Sequence, residues 1–385
     1  MPDEVLCGAW IADPYRPPEV TMARQSCLLI GATLALSTAL AFAAPLSTLE
    51  QRMQLFRDGA LRGFALAELP DGGHEIYTET DFKDLAATGA NLVRVAIQLR
   101  KCKGCDHYDM PEADIRYAER ILNRGDRYGF RVVLVLLATP WGNESDYWDS
   151  DSLKADIVKK WGQLARRLKS YPALQAYDLL NEPVVPQSLL ARSAQAQWHE
   201  LAEAIARELR VVDPDTPLVV EPTPWGLPSS FWRTEPLNLP GVVYSFHFYE
   251  PHEFTHQGLP GQPAALAYPG RGWDKSRLSQ AMDEARRFAV RNKVPMFVGE
   301  FSCVRWAPAG SCPRYLDDAV SLFEAEGWSW TYHCWRCYQG WDPEVHERVP
   351  QAQRAGHLPE HRRADSPTLL LLRKSMESNR RSARN

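Results

Sequence analysis

Two glutamates stand where this chain could hold a carboxyl group rigidly. Glu182 closes the run Tyr177-Asp-Leu-Leu-Asn181, and Glu300 closes Met296-Phe-Val-Gly299. A carboxyl group against apolar surroundings can stay protonated as a donor, while a neighbour with polar support stays ionised. Hydrolysis of a glycosidic bond is one reaction that needs such a pair, a proton donor to the leaving oxygen and a second carboxylate as nucleophile or base. A lone glutamate after an apolar run is more often a solvated loop residue. Here, however, Arg94, Asn181, Glu221, His247 and Tyr249 occupy matching places at the ends of other apolar runs. Glu221 is a third carboxylate at that level and reads as a support or subsite residue.

The elements that must position these groups follow from the spacing. Eight β-rich runs are candidate strands: Leu61–Ala67, Asn91–Gln98, Arg131–Ala138, Ala173–Leu180, Pro217–Glu221, Val242–Tyr249, Pro295–Glu300 and Gly327–His333. Between them lie amphipathic helix candidates such as Ala113–Tyr128, Ser152–Ser170, Ser193–Val212, Lys275–Asn292 and Pro313–Glu326, with a closing helix near Ser366–Glu377. Alternation of this kind predicts a parallel α/β architecture, and eight strands predict a closed (β/α)8 TIM barrel. Sites on such barrels sit at the C-terminal ends of the strands, where these polar residues collect. In Val243-Tyr-Ser-Phe-His-Phe-Tyr249 the period-two alternation turns Val243, Ser245, His247 and Tyr249 into the barrel and Tyr244, Phe246 and Phe248 toward the helices.

At these residues the chain resembles glycoside hydrolase family 5 and, more broadly, the retaining clan A barrel glycosidases. The resemblance is carried by LRGFAL, NLVRVAI with Arg94, YDLLNEP with Asn181 and Glu182, FHFYEPHEFTHQG with His247 and Tyr249, and FVGEFS with Glu300, in this order over roughly Leu61 to Met376. It implies Glu182 as acid/base and Glu300 as nucleophile of a double displacement. It further implies Asn181 on the sugar 2-hydroxyl, Arg94 and Tyr249 on the Glu300 carboxylate, and His247 lining the adjacent subsite. The implied substrate is a β-linked glucan- or mannan-type polysaccharide or oligosaccharide. Two places depart from the family pattern. The third strand ends Ala138-Thr-Pro-Trp141, where many members have His, which leaves Trp141 as a candidate contact. At the end of the eighth strand, where members commonly have a Trp floor, His333 stands in the aligned place with Trp335 two residues on; Trp335 is expected as the platform and His333 as a polar contact. Trp328 and Trp330 read as packing.

The 385 residues are 45% hydrophobic with a formal charge of −4, enough for one large core. No basic stripe suited to nucleic acid or an anionic membrane appears. Thirteen tryptophans and fourteen tyrosines suit sugar platforms as well as core. The apolar stretch from Leu28 to Ala43 follows Met22-Ala-Arg24 and ends Ala-Phe-Ala, which reads as a signal peptide too short to span a membrane comfortably. Residues 1–43 are therefore expected to be extension and signal peptide, with Met22 the suspected start, and residues 44–385 a single catalytic domain, secreted or periplasmic. The mature chain is expected to be a monomer whose partner is carbohydrate, with no membrane span, cofactor or metal. Six cysteines remain after position 43, and the export signal favours disulfides over a zinc site built from Cys102-x-x-Cys105 and Cys334-x-x-Cys337. Cys303 with Cys312, closing a short loop, is the expected pair. His252-Glu-Phe-Thr-His256 matches the H-E-x-x-H zinc-protease pattern, but flanking Pro251, Gly258 and Pro260 predict a loop where that chemistry needs a helix. Two alternatives therefore stand beside the glycosidase: a non-catalytic carbohydrate-binding barrel, and a zinc metalloprotease.

Overall fold

Each of the eight predicted runs is a strand in the computed structural model. They are β1 Arg62–Leu66, β2 Leu92–Gln98, β3 Arg131–Leu137, β4 Leu174–Asp178, β5 Leu218–Val220, β6 Val242–Phe248, β7 Met296–Phe301 and β8 Ser329–Tyr332. Every neighbouring pair is parallel, and β8 returns to β1 with Arg62 opposite Trp330, closing the barrel. The structure describes residues 47–67, 76–101, 107–138, 147–186, 193–351 and 358–382. The signal-peptide stretch, Met22, Trp141, Cys102 and Cys105 lie outside the described residues.

The alternation of side chains divides the core in two. Leu92, Val133, Ala176, Val219, Val243 and Phe297 point inward and form a small cluster with Met53 and Phe56. Those two residues come from α1 (Leu49–Arg57), which starts at a Thr48–Gln51 capping box and sits under the N-terminal ends of the strands. Tyr244, Phe246 and Phe248 join the larger outer cluster between barrel and helices, as do Trp328 and Trp330. Long helices clamp the strand ends that matter most. In α2 (Asp151–Leu168), Leu153, Ile157, Trp161, Leu164 and Leu168 form one buried face, and the Trp161 indole N–H donates to the Leu179 carbonyl at 2.9 Å, three residues before Glu182. In α3 (Ala194–Val212), Trp198 donates to the carbonyl of Glu221 at 2.7 Å.

Three expectations need correction. The helix expected over Lys275–Asn292 breaks at Met282, giving segments Lys275–Ala281 and Asp283–Asn292. Met282 leaves helical geometry and is fully buried, and Phe288 of the second segment then packs on Phe231 and Tyr244. Cys303 and Cys312 are both buried and unbridged. Cys312 directs its sulfur at the Cys303 carbonyl, 3.0 Å away, and burial holds the Cys303 thiol well above its usual pKa, in the protonated form that does not exchange. Among the described residues the disulfide lies instead within one C-x-x-C, between Cys334 and Cys337. Finally, His252–Thr255 is a single turn of helix rather than a loop, opened by Pro251 and closed at His256.

Candidate active site

At the C-terminal ends of the strands the barrel closes around one buried guanidinium. Arg94 of β2 is 2% exposed. It donates through Nε to Asp178 (2.9 Å), through Nη1 to Glu300 (2.7 Å), and through Nη2 to Glu221 (2.8 Å) and to Asn181 Oδ1 (2.9 Å). Four strands are thus tied at one level by a group that cannot lose its charge. Because guanidinium only donates, Asn181 must offer it the carbonyl oxygen, which leaves the amide NH2 for the cavity.

The carboxylates form two tiers. Glu221 is fully buried and receives both Arg94 and the backbone N–H of Glu182, at 2.8 Å each. Glu182 has φ +44, a left-handed conformation that a non-glycine residue holds only when its surroundings impose it. Above Glu221 stands His247, whose Nδ1 lies 2.7 Å from Glu182 Oε1 and 3.7 Å from Glu300 Oε2, while Nε2 is 3.2 Å from Glu221. The Tyr249 hydroxyl donates to Glu300 Oε2 at 2.9 Å, and His333 Nδ1 is 3.6 Å from the same oxygen. Carboxylate oxygens of Glu182 and Glu300 lie within 4.8 Å of each other. Gly299 packs closely here, since a Cβ would fall 2.6 Å from Ser245 Oγ and force that side chain to shift.

The surroundings push the two glutamates apart. Burial alone would raise Glu300, but the charges of His247, His333 and Arg94 and the Tyr249 hydrogen bond outweigh it and hold Glu300 well below the usual carboxylate range. For Glu182 burial wins, only partly offset by His247, and its carboxyl is raised. Burial also opposes the charged form of His247, yet the charges of Glu221 and Glu300 and the bond to Glu182 keep it well above the usual histidine value. Asp178 is pushed up to about 7 by burial, with Arg94 opposing.

A cavity of about 680 Å³ opens over this network. Its described wall includes Arg94, Asn181, Glu182, His247, Tyr249, Glu300 and His333, all expected from the sequence. One of the sequence expectations fails on geometry. Trp335 is 1% exposed, packed between Phe64 and the Arg336 guanidinium, so it offers the cavity no face. His247 is on the cavity wall, with Nδ1 held at 2.7 Å from Glu182 Oε1. Three aromatic and acidic residues that sequence reasoning missed face the cavity: Trp225, Trp341 and Glu250. Trp341 packs edge-on to His333 with ring centroids 5.3 Å apart, and burial pushes Glu250 up to about 7. Asp178 was missed because it reads as one more position within a core strand. His252 and His256 also line the cavity, with rings stacked 4.0 Å apart. Among the described residues two groups lie close enough to share an ion: Glu182 with His247 and Glu300, and His333 with Cys334 and Cys337, whose sulfurs are joined to each other and so are not thiolate ligands. Neither includes His252 or His256, so the H-E-x-x-H segment lacks the third ligand of its zinc reading.

A family model described as Cellulase (glycosyl hydrolase family 5) matches residues 56–339. Endoglucanase C of Acetivibrio thermocellus is 24% identical over 282 residues, spanning 64% of this chain and 80% of that protein. Cellodextrinase A of Ruminococcus flavefaciens is 23% identical over 268 residues, spanning 65% and 75%. Among solved structures, Thermotoga maritima Cel5A in complex with cellobiose superposes with a TM-score of 0.67 at 20% identity, covering 85% of this chain and 99% of that one. The same protein in complex with mannotriose gives 0.67 at 19% identity, covering 82% and 98%.

Proposed function

The chain belongs to glycosyl hydrolase family 5 and is an O-glycosyl hydrolase, and from that premise we propose that it cleaves a β-linked glucan- or mannan-type substrate with retention, using Glu182 as acid/base and Glu300 as nucleophile. The observation that carries this reading is the spacing of the two carboxylates, whose oxygens come within 4.8 Å of each other. Retaining enzymes hold their carboxyls about 5–5.5 Å apart, whereas inverting ones leave about 6.5–9.5 Å for a water. In the first step Glu300 attacks the anomeric carbon while Glu182 gives its proton to the departing oxygen. In the second, Glu182 takes a proton from water, the water attacks the anomeric carbon, and Glu300 leaves. Asn181, its oxygen committed to Arg94, donates from its amide to the sugar 2-hydroxyl, a bond that strengthens toward the oxocarbenium-like transition state. Glu221 supports both steps from below, through Arg94 and the Glu182 backbone.

Relatives named endoglucanase and cellodextrinase, and a similar fold solved with both cellobiose and mannotriose, support a gluco- or manno-configured substrate. The cleft wall contributed by Glu250, His252, His256 and Trp341 comes from the long segments after β6 and β8, where specificity on such barrels is set. No helix among the described residues is long and apolar enough to cross a membrane. Export through cleavage near Ala43 is part of the same proposal. The test of mechanism is proton NMR of the first-formed product on defined β-glycosides. The β-anomer is expected to appear first and then mutarotate; an α-anomer appearing first contradicts retention.

A further inference from the structure

The segment that leaves β8 carries two sulfurs to which the double displacement gives no part. Cys334 and Cys337 close a short loop as a disulfide, with Cα atoms 5.7 Å apart, and His333 stands directly before them. One nitrogen of His333 and the two sulfurs all lie within 4.8 Å of one another. The loop is held by more than its disulfide. Arg336, between the two cysteines at φ +50, donates to Asp81, to Asp84 at 2.8 Å and to both oxygens of Glu344. The Trp335 N–H donates to the Ala65 carbonyl at 2.9 Å, its carbonyl accepts the Tyr77 hydroxyl at 2.8 Å, and its indole packs on Phe64. A left-handed arginine tied to two separate segments and a buried tryptophan bonded through its backbone keep the path of the loop when the sulfur–sulfur bond is cut. Cys334 is fully buried, but Cys337 is only half-buried, which gives a small reductant one sulfur to reach.

We infer that the reduced loop is a zinc site, formed by the thiolates of Cys334 and Cys337 and the imidazole of His333, and that zinc bound there lowers the activity of the enzyme. As a disulfide the sulfurs are bonded to each other and offer no thiolate. A dithiol reductant supplies two electrons and two protons, breaks the Cys334–Cys337 bond to give two thiols, and itself closes to a disulfide. Zinc then displaces both thiol protons to solvent and binds two sulfurs and one nitrogen at about 2.0–2.3 Å, with the fourth position left to water. Three donor atoms this close together can close on one ion at those bond lengths. The same His333 lies on the cavity wall with Nδ1 3.6 Å from Glu300 Oε2, so drawing its ring onto a dication changes both the charge and the space beside that carboxylate. The loss of activity rests on Glu300 as nucleophile; the binding of zinc does not.

The experiment uses the full-length protein carrying Cys102→Ser and Cys105→Ser, which removes the other C-x-x-C. It is reduced with dithiothreitol, freed of the reagent by anaerobic gel filtration, and compared with its oxidised form. Zinc per chain is measured by equilibrium dialysis, and hydrolysis of cellotetraose, or mannotetraose if that is the one cleaved, is followed with and without zinc. The reduced form is expected to bind about one zinc and to lose at least about tenfold in kcat/KM, restored by EDTA, while the oxidised form binds none and is unaffected. Cys337→Ser and, separately, His333→Asn in the same background should weaken zinc binding by at least about tenfold. Cobalt in place of zinc should show thiolate charge-transfer absorption in the reduced form and not in Cys334→Ser/Cys337→Ser. Equal zinc uptake by the oxidised and reduced forms, or unchanged uptake in Cys337→Ser, overturns the site. Zinc bound with kcat/KM unchanged overturns the control of activity. A reduced form that is inactive in EDTA shows that the loop does not keep its path without the disulfide, and overturns both. If Glu300 is not the carboxylate that bonds to sugar, zinc uptake still decides the site.

Discussion

One guanidinium sets the chemistry of this site. Arg94 reaches three buried or half-buried carboxylates at once, and its charge, with that of His247, decides which of them can ionise. In the proposed double displacement, activity requires Glu300 ionised and Glu182 protonated. Glu300, held below the usual range, keeps its charge well into acid, and the rate falls only when pH drops far enough to protonate it. Glu182, raised by burial, keeps its proton to higher pH than an ordinary glutamate, and the rate falls again as pH rises through its raised value. A bell-shaped kcat/KM profile is therefore expected, with Glu182→Gln, assayed on an activated aryl glycoside, removing the alkaline limb. An alkaline limb that survives in Glu182→Gln would assign it to another group. Most of this site was legible in residue type and strand-end position: Glu182, Glu300, Arg94, Asn181, Glu221, His247 and Tyr249 all converge. What the sequence could not show is direction. Nothing in Cys334-Trp-Arg-Cys337 says that the chain turns Trp335 back against Phe64, and brings Trp341 to the cavity six residues later. Trp225 was hidden for a similar reason, in a loop whose left-handed turn depends on contacts remote in sequence.

Among the elements, the barrel strands were legible because each is a short apolar run bounded by polar turns, and each observed strand lies within a residue or two of its predicted bounds. The helices were less so. Leu49–Arg57 carries only Met53 and Phe56 as a buried apolar face, too sparse a pattern to stand out beside its charged residues, although Thr48-x-x-Gln51 marks its start. The break at Met282 and the single turn at His252–Thr255 depend on what they pack against. The structure makes α1 the floor of the barrel, with Phe56 edge-on to Phe297 at 5.8 Å, three residues before Glu300 but at the opposite end of the strand. Phe56→Ala should cost about 3–5 kcal/mol in urea unfolding while kcat/KM at moderate temperature stays within about twofold. A large loss of kcat/KM with little loss of stability would show that the floor positions Glu300 rather than only supporting the barrel.

For the whole molecule, composition gave no support to nucleic-acid binding and allowed one large core, and the alternation of strand and helix was enough to predict the closed barrel that β8 completes against β1. The remaining organisation is a proposal about processing: residues 1–43 leave on export and residues 44–385 act as the enzyme. N-terminal sequencing of the exported protein should begin near Ala44; a start near Met1 or Met22 would show that the apolar stretch is retained. The central claim concerns which glutamate bonds to sugar. A fluorosugar β-glycoside with a good leaving group, which slows release of the glycosyl intermediate, can be incubated with the enzyme and the peptides examined by mass spectrometry. The account predicts a glycosyl ester on the peptide containing Glu300, and specifically on that carboxylate. An adduct on Glu182 or Glu221, or turnover with inverted product and no adduct, would contradict it.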